Sequence, residues 1–377
     1  MSSATLLPLI LTCAAVLLAS CASSPRLPEG AEPFGTLEDG RAAHRFRLQN
    51  ANGLLAEFTD FGATLVSLQL PDREGASADV VLGFDDVTGY AGEDNQYFGC
   101  TAGRVANRIG GASFELAGRT VNVTANDGDH CLHGGAQGFG QRLWSASPLA
   151  GEGEQGLRFE YLSADGEEGF PGNLQVTLDY WLTDADELRL EYRATTDATT
   201  VVNLTHHSYW NLSGAGAETV LDHELQILAE RFTEAGEGLI ATGEILSVVG
   251  TPLDFREPRR VGERLEALVD TAALGYDHNY VLDSEGAALA LAAVLRDPAS
   301  GRTLEVWTDE PGLQFYSGNF LFGQAGKGGV AYPLRSALCL EPQHFPDSPN
   351  QPSFPSIALE PGETYEKVTV FRFPAPR

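Results

Sequence analysis

Histidine side chains are concentrated in a few short polar segments of the chain. The sequence contains eight histidines, and six of them lie in these segments: His130, His133, His206, His207, His278 and His344. Histidine has the side-chain pKa closest to neutral pH, so it is the most frequent proton donor or acceptor in enzymes. The clustering therefore indicates acid–base chemistry at a site assembled from several parts of the chain.

Charged residues near these histidines could take part in the same chemistry. Glu341 follows the apolar run 337–340, so its carboxylate is either satisfied by hydrogen bonds or raised in pKa for catalysis. Arg104 and Arg108 share one polar segment and are either surface ion-pair residues or ligands of a bound molecule. Asp277 either caps a turn or belongs to a site. Taken singly, each residue also has an ordinary structural explanation.

The paired histidines and the candidate metal ligands also have simple interpretations. Successive residues of a strand face opposite sides, so His206 and His207 by themselves suggest one core histidine and one exposed histidine. His130 and His133 could bind a metal ion, but no third ligand completes a recognisable spacing, and we expect no metal. The sequence has no Walker A loop, no GxGxxG between a strand and a helix, no GxSxG and no HExxH. We therefore expect side-chain chemistry without a cofactor.

The elements that must position these residues have the pattern of antiparallel strands. Apolar and polar side chains alternate in residues 66–70, 174–180 and 188–193, and a last strand is expected at 365–373. The short polar connection 183–186 predicts a hairpin. Helical spacing appears only at Val261, Leu265 and Leu268, and no interdomain linker is evident between about 35 and 377. The body is predicted to be all-β, as one large antiparallel sandwich.

Charge excludes several classes of partner. The chain has 377 residues with 24 Lys and Arg against 52 Asp and Glu, a formal net charge of −28. Such a chain cannot neutralise a phosphate backbone, so we expect no nucleic-acid partner. The same charge disfavours sugar phosphates, which require extra cations in a cleft. A neutral small molecule remains the expected partner.

The N-terminus has the pattern of an export signal. Residues 6–19 form an apolar run too short to span a bilayer but suited to a signal peptide, although no Lys or Arg precedes it. The run ends in Leu-Ala-Ser-Cys, which resembles a bacterial lipobox, so we expect a signal peptide at 1–21 and a possible lipid anchor at Cys21. A plain secretory signal with an incidental cysteine is the alternative. Residues 22–34 are expected to be a flexible tether before a domain at 35–377. Together these features predict an exported protein of the bacterial envelope that lies in the periplasm and is anchored to the membrane.

The body contains three further cysteines, Cys100, Cys131 and Cys339, and none forms a CxxC pair. A dense disulfide framework and a structural zinc site are therefore not expected, while a single bridge in an oxidising compartment stays open. Neither the disulfide state nor the oligomeric state follows from the sequence; a monomer or a dimer is expected.

The polar segments as a set resemble those of the galactose mutarotase (aldose 1-epimerase) family in residue identity, order and spacing. The resemblance extends from about residue 35 to the C-terminus. It rests on GRVANRI at 103–109, NDGDHCLHGG at 126–135, NLTHHSYWNL at 203–212, YDHNY at 276–280, LQFYSGNFL at 313–321 and LEPQHFPDSPNQP at 340–352. The resemblance implies a large antiparallel β-sandwich, sometimes called a supersandwich, and an isomerase that interconverts the α and β anomers of free aldohexoses such as galactose and glucose.

Residue roles follow from the same resemblance, motif by motif. It implies that Glu341 is the general base, that His207 is the general acid and that His133 is a second active-site histidine. The residues implied to hold sugar hydroxyls are Asn107, Arg108, Asp277 and Gln314. From residue type, we expect Trp210 or a tyrosine to cover an apolar face of the sugar. A non-catalytic carbohydrate-binding envelope protein on the same scaffold is the alternative, because fold alone does not decide function. The retained acid and base favour the enzyme, since a binding module needs neither.

Overall fold

The computed structural model of the protein describes Met1 and residues 30–376. Apart from Met1, the expected signal peptide at 1–21, with Cys21, lies outside the described residues, as does most of the expected tether. The last residues of that tether differ from the prediction, because Glu32–Thr36 forms the first strand and Phe34 is buried against Tyr90. The folded body therefore begins before residue 35.

Short strands, numbered here in chain order, make up most of the regular structure. The first group is β1 Glu32–Thr36, β2 Ala42–Gln49, β3 Leu55–Thr59, β4 Thr64–Pro71, β5 Ser77–Asp79, β6 Thr101–Ala102, β7 Arg108–Ile109, β8 Ser113–Leu116, β9 Arg119–Asn122 and β10 Cys131–Leu132. The second is β11 Ser145–Gly151, β12 Glu154–Ser163, β13 Leu174–Thr183, β14 Glu187–Thr196, β15 Thr200–Val201, β16 Thr205–His206, β17 Tyr209–Trp210, β18 Glu224–Ile227, β19 Arg231–Ala235 and β20 Ala241–Ser247. The third is β21 Arg259–Arg260, β22 Asp277–Val281, β23 Ala290–Arg296, β24 Thr303–Thr308, β25 Gly312–Tyr316, β26 Gln324–Ala325, β27 Ala331–Tyr332, β28 Leu338–Gln343, β29 Ala358–Leu359 and β30 Tyr365–Arg372.

Helical segments are few and short. One α-helix spans Val87–Ala91, and its N-terminus is capped by Asp86, whose carboxylate accepts the backbone N–H of Thr88. The 3₁₀ turns are Gly110–Ala112, Phe139–Gln141, Glu167–Gly169, Glu237–Leu239, Val261–Glu263, Leu265–Leu268, Lys327–Gly329 and Ser348–Asn350. Among the residues described, no helix has both the length and the apolar character needed to cross a membrane.

The strands form three main antiparallel sheets. A nine-stranded sheet has the order β11-β12-β13-β14-β30-β24-β23-β18-β21. A five-stranded sheet runs from β1 to β5 in sequence order, and a six-stranded sheet has the order β17-β28-β25-β22-β19-β20. Two-stranded pairs, β6 with β16 and β7 with β10 among them, connect the loops around the sheets. The predicted all-β class is confirmed.

The core lies between the nine-stranded sheet and the other two. Phe46 of the five-stranded sheet meets Phe159 of the nine-stranded sheet with ring centroids 6.1 Å apart. Trp210 of the six-stranded sheet lies 5.1 Å from Phe371 in the same way. These side chains belong to one continuous buried cluster, so the long sheet is a shared layer covered by two smaller ones.

The strand predictions from periodicity hold. Residues 174–180 and 188–193 lie in β13 and β14, which pair as a hairpin around the polar turn. Residues 66–70 lie in β4, and the last strand is β30. The segment with helical spacing forms two 3₁₀ turns, Val261–Glu263 and Leu265–Leu268.

Candidate active site

The candidate site lies on the outer face of the six-stranded sheet. Side chains alternate along β28, so that Leu338 and Leu340 enter the main core while Cys339 and Glu341 face the other side. The same alternation in β25 buries Phe315 in the main core. All six residues of β28 are buried, which shows that this outer face is itself covered by loops.

Strand register places functional residues from distant parts of the sequence side by side. Glu341 of β28 is directly opposite Gln314 of β25. In the adjacent row, Tyr316 of β25 lies between Cys339 and Asp277 of β22. Directly opposed side chains on one face of a sheet are close neighbours. The register alone therefore brings Glu341, Gln314 and Asp277 together.

Two loops over this face contribute Asn107 and His133. The backbone N–H of His133 donates to the carbonyl of Asn107 at 3.0 Å, and the N–H of Asn107 donates to Nδ1 of His133 at 3.2 Å. Both residues have left-handed backbone conformations, with φ of 59° and 50°. Such strain in non-glycine residues is concentrated at functional sites, where the surroundings enforce it. A side chain at Gly134 would place its Cβ 2.0 Å from the carbonyl oxygen of Gly103, so this loop closes only with glycine there.

Four polar side chains line the wall of the pocket and are fixed to one another in two pairs. Arg108 Nε donates to Asp127 Oδ2 at 2.8 Å, and its side chain is only 12% exposed. Gln314 Nε2 donates to Asp277 Oδ1 at 2.6 Å. Burial raises the pKa of Asp277, and the positive charge of Arg108 acts in the opposite direction. Donors and acceptors are therefore held in place before any ligand binds.

The adjacent histidines face opposite sides, but both are buried. His206 lies within the core, where Nδ1 is 3.1 Å from the hydroxyl of Tyr180 and Nε2 is 2.7 Å from Oγ of Ser208. His207 faces the pocket and is 5% exposed. The expectation of one exposed histidine is wrong, because loops cover the outer face of the sheet.

Glu341 and His207 form the central pair of the pocket. Their Oε2 and Nε2 atoms are 3.5 Å apart, and Glu341 is 2% exposed. Burial raises the pKa of Glu341 well above its ordinary value; the nearby carboxylate of Asp277 adds to this and Arg108 opposes it. Burial lowers the pKa of His207 to about 4. Burial therefore opposes the charged form of both groups, the carboxylate and the imidazolium.

Two buried oxygens at the floor of the pocket have no hydrogen-bond partner among the described residues. They are Oε2 of Glu341 and Oε1 of Gln314. Buried polar atoms are nearly always paired, and an unpaired one costs about 1–3 kcal/mol. Both oxygens are acceptors, so the pocket is built for a ligand that brings hydroxyl donors.

The central cluster has the composition of a metal site, but its hydrogen bonds oppose one. Ligating atoms of His133, His207 and Glu341 lie within 4.8 Å of one another. A backbone N–H can only donate, so Nδ1 of His133 must be the unprotonated nitrogen that accepts from Asn107. A neutral His133 then carries its ring proton on Nε2, and neither nitrogen has a free lone pair. The residues do not fit a metal ion at this point.

The structure brings every sequence-predicted site residue into one pocket of about 300 Å³. That set is Asn107, Arg108, His133, His207, Asp277, Gln314 and Glu341. The roles implied for them stay predictions; their assembly in one place is what the fold adds. A volume of this size suits a small molecule.

Several lining residues were not identified from the sequence. The ring of Tyr97 lies 4.6 Å from that of His133, and Tyr209, Tyr316 and Phe320 extend an aromatic wall. Asp127, the partner of Arg108, was also missed. Alternation could have found Tyr209, since it is two residues from His207; Tyr97 lies in a loop, and we find no signal for it.

Two sequence interpretations are wrong in this region. Arg104 is not a surface ion-pair residue: it is 1% exposed and donates to Oγ of Ser163 at 2.6 Å and to the carbonyl of Pro171 at 2.8 Å. Trp210, considered as a cover for an apolar sugar face, is fully buried in the main core. The three body cysteines, Cys100, Cys131 and Cys339, are buried and unbridged.

Comparison with known proteins finds relatives that match most of the chain. The family model described as aldose 1-epimerase matches residues 44–372. The galactose mutarotase of Bos taurus is 44% identical over 342 residues, covering 90% of this chain and 97% of that protein. The aldose 1-epimerase of Escherichia coli K12 is 36% identical over 338 residues, covering 89% and 96%.

A solved structure shows the same architecture. The crystal structure of an aldose epimerase homologue from C. elegans superposes with a TM-score of 0.82 at 33% identity, covering 89% of this chain and all of that one. Both the family model and the relatives match most of the chain in sequence. A similarity of fold alone would not produce such a match. The chain is therefore a member of the aldose 1-epimerase (galactose mutarotase) family.

Proposed function

We propose that this protein is an aldose 1-epimerase that interconverts the α and β anomers of free aldohexoses such as galactose and glucose. The observation that carries the proposal is the pairing of Glu341 and His207 at 3.5 Å on the floor of the pocket. Together they hold one transferable proton, which is the requirement for opening and closing a hemiacetal.

Ring opening proceeds by two proton transfers. In the form of the pair that carries its proton on His207, Oε2 of Glu341 takes the proton from the C1 hydroxyl while Nε2 of His207 gives its proton to the ring oxygen. The C1–ring oxygen bond breaks, C1 becomes an aldehyde carbon, and the ring oxygen becomes a hydroxyl. After rotation about C1–C2, the roles reverse: Glu341 returns its proton to the aldehyde oxygen and His207 recovers its proton as the ring closes. No atom is gained or lost by the protein.

Fixed polar groups in the wall orient the sugar. Gln314 Oε1 is an unpaired acceptor, and Asp277 and Arg108 present a carboxylate and a guanidinium to the same pocket. Each can bind a ring hydroxyl in one direction only, which holds C1 and the ring oxygen against the acid–base pair. Tyr97 and Phe320 supply aromatic surface for the apolar face of a sugar.

The charges of the pocket support a neutral substrate. Among the described residues that line it, Arg108 is the only one with a fixed positive charge, and Asp127 neutralises it at 2.8 Å. Glu341 and Asp277 add acidic groups to the same space. A sugar phosphate would need additional cations there, so we favour free aldoses.

We also propose that the enzyme acts in the bacterial envelope, held by a lipid at Cys21. The support is the sequence: the apolar run at 6–19 and the lipobox-like residues 18–21. Incoming sugars would then be equilibrated between anomers before a step that accepts only one of them.

Polarimetry tests the proposed activity. Freshly dissolved α-D-galactose and α-D-glucose are followed with the wild-type protein, with Glu341→Gln and with His207→Asn. A positioned acid or base contributes about 10²–10⁴-fold, so each variant should approach the buffer rate. Glu244→Gln, an exposed carboxylate outside the pocket, is the matched control and should equal the wild type. A wild type that binds sugar but leaves the buffer rate unchanged would support the non-catalytic binding protein instead.

A further inference from the structure

The thiol of Cys339 lies beside the catalytic imidazole. Its Sγ atom is 3.6 Å from Nδ1 of His207, within the range of a hydrogen bond to sulfur, and the residue is fully buried. Cys339 precedes Glu341 by two positions on β28, so both side chains face the pocket side of the sheet. The mechanism above assigns no role to this side chain.

Stacking contacts fix the plane of the His207 ring, but they do not decide which edge of the ring faces which neighbour. The rings of Tyr209 and Tyr97 lie nearly parallel to it, at 5.3 Å and 5.7 Å between centroids. A 180° rotation of the imidazole about its Cβ–Cγ bond would keep that plane but exchange the positions of its nitrogen and carbon atoms. Polar partners at the ring edges distinguish the two orientations: Glu341 lies 3.5 Å from Nε2, and Cys339 is the side chain that lies at Nδ1.

Proton transfer through Nε2 sets a requirement at Nδ1. When Nε2 of the imidazolium gives its proton to the sugar, the neutral ring must keep the proton on Nδ1, or Nε2 could not take a proton back. An acceptor at Nδ1 stabilises that tautomer throughout the cycle. Sulfur is a weak acceptor, and burial raises the pKa of this thiol well above its ordinary value, so it stays neutral.

Other histidines of the chain have different partners at the same nitrogen. Nδ1 of His44 meets Asp60 at 2.9 Å, and Nδ1 of His344 meets Glu310 at 2.6 Å. A carboxylate there would favour the imidazolium and oppose release of the proton. A neutral thiol orients the ring without adding this charge.

We propose that Cys339 is a positioning residue, whose sulfur accepts the Nδ1–H of His207 and thereby leaves Nε2 free to give and recover the catalytic proton. This inference rests on the proposed function for its consequence in catalysis. The structural part of the inference, the tautomer of His207, can be measured whether or not the protein is active.

The test combines kinetics with ¹⁵N NMR of the imidazole nitrogens. Three variants of the full protein are compared with wild type: Cys339→Ala removes the acceptor, Cys339→Ser keeps one, and Cys131→Ala makes the same change at a buried cysteine in another core cluster. The signals of His207 are assigned by their loss in His207→Asn. In wild type at neutral pH, Nδ1 should be protonated and Nε2 unprotonated.

Cys339→Ala should lower kcat about five- to tenfold, as expected for a lost hydrogen bond, with KM changed less than twofold. Its His207 spectrum should show mixed tautomers, whereas Cys339→Ser should restore both kcat and the spectrum and Cys131→Ala should match wild type. A neutral His207 that carries its proton on Nε2 instead of Nδ1 in wild type, or an unchanged kcat in Cys339→Ala, overturns the proposal. Because the wild-type spectrum requires no substitution of Cys339, the decision does not depend on how Cys339→Ala folds. If wild type lacks mutarotase activity, the proposed function fails while the spectrum still decides the tautomer.

Discussion

Asn107 and His133 bind each other twice, through the backbone N–H of His133 and through the backbone N–H of Asn107, which donates to Nδ1 of the ring at 3.2 Å. The second bond fixes the ring proton on Nε2. His207 has a thiol at the corresponding nitrogen. The two histidines of the pocket are therefore not equivalent: His133 is a permanent donor, and His207 is the group proposed to exchange a proton.

Replacement of His133 should weaken catalysis without changing its pH dependence. His133→Asn suits the test, since asparagine tolerates the left-handed backbone that this position requires. Loss of one donor to a charge developing on the sugar should lower kcat/KM about 10–100-fold. Burial already lowers the pKa of His133 well below its ordinary value, so the ring does not titrate near neutral pH. Initial rates by polarimetry across pH would check this, and a shifted acid limb would show instead that His133 is the titrating group.

The central pair predicts an unusually low acid limb for catalysis. The active form holds one proton on Glu341 and His207 together. As pH falls through the lowered pKa of His207, at about 4, the pair gains a second proton and the base is lost. As pH rises through the raised pKa of Glu341, the pair loses its only proton and the acid is lost.

The measurement is kcat/KM against pH, corrected for the buffer-catalysed rate. We expect no acid-side decline at pH 6.5, where an ordinary histidine would titrate, and instead an acid-side decline near pH 4. A decline centred at 6.5 would mean that burial does not control the ionisation of His207. The Glu244→Gln control should reproduce the wild-type profile, because that carboxylate is exposed.

Features that depend on local sequence could be predicted, whereas features that depend on contacts between distant segments could not. Alternation within a strand is local, so residues 174–180 and 188–193 were assigned correctly from their own sequence. The pairing of Glu341 with Gln314 is a register between separate strands, and composition does not specify it. The resemblance to the family supplied those residues; the register explains why they meet.

The errors have physical causes of the same kind. Alternation places Trp210 on the side opposite Tyr209, so the tryptophan enters the core and the tyrosine faces the pocket. Arginine is rarely buried, and no local pattern of residues indicates the carbonyl groups that surround Arg104. Tyr97 occupies a loop whose course depends on tertiary contacts.

Arg104 is expected to contribute to stability and not to substrate binding. Its guanidinium donates to the carbonyls of Pro171 and Gly172 and to the hydroxyls of Thr200 and Ser163, and these groups would be left unpaired in Arg104→Met. Leaving buried polar groups unpaired should lower the free energy of unfolding by about 2–5 kcal/mol.

Urea unfolding followed by circular dichroism measures this loss. Arg119→Met replaces an exposed arginine and should change the free energy of unfolding by less than about 0.5 kcal/mol. In the fraction that stays folded, the KM of Arg104→Met should equal that of wild type. A stable Arg104→Met with a raised KM would instead place this arginine in sugar binding.

Membrane attachment through Cys21 is the last expectation open to a direct experiment. If the cysteine is acylated after removal of residues 1–20, wild type expressed in a bacterial host should incorporate labelled palmitate and sediment with membranes. Cys21→Ser removes the acceptor thiol, so its product should carry no label and appear in the soluble fraction, with mutarotase activity unchanged because the pocket lies in the described body. Cys13→Ser, within the apolar run, is the matched control and should remain attached. An unlabelled wild type that is nevertheless released into the periplasm would identify residues 1–21 as a plain secretory signal, and one retained in the cytoplasm would exclude export.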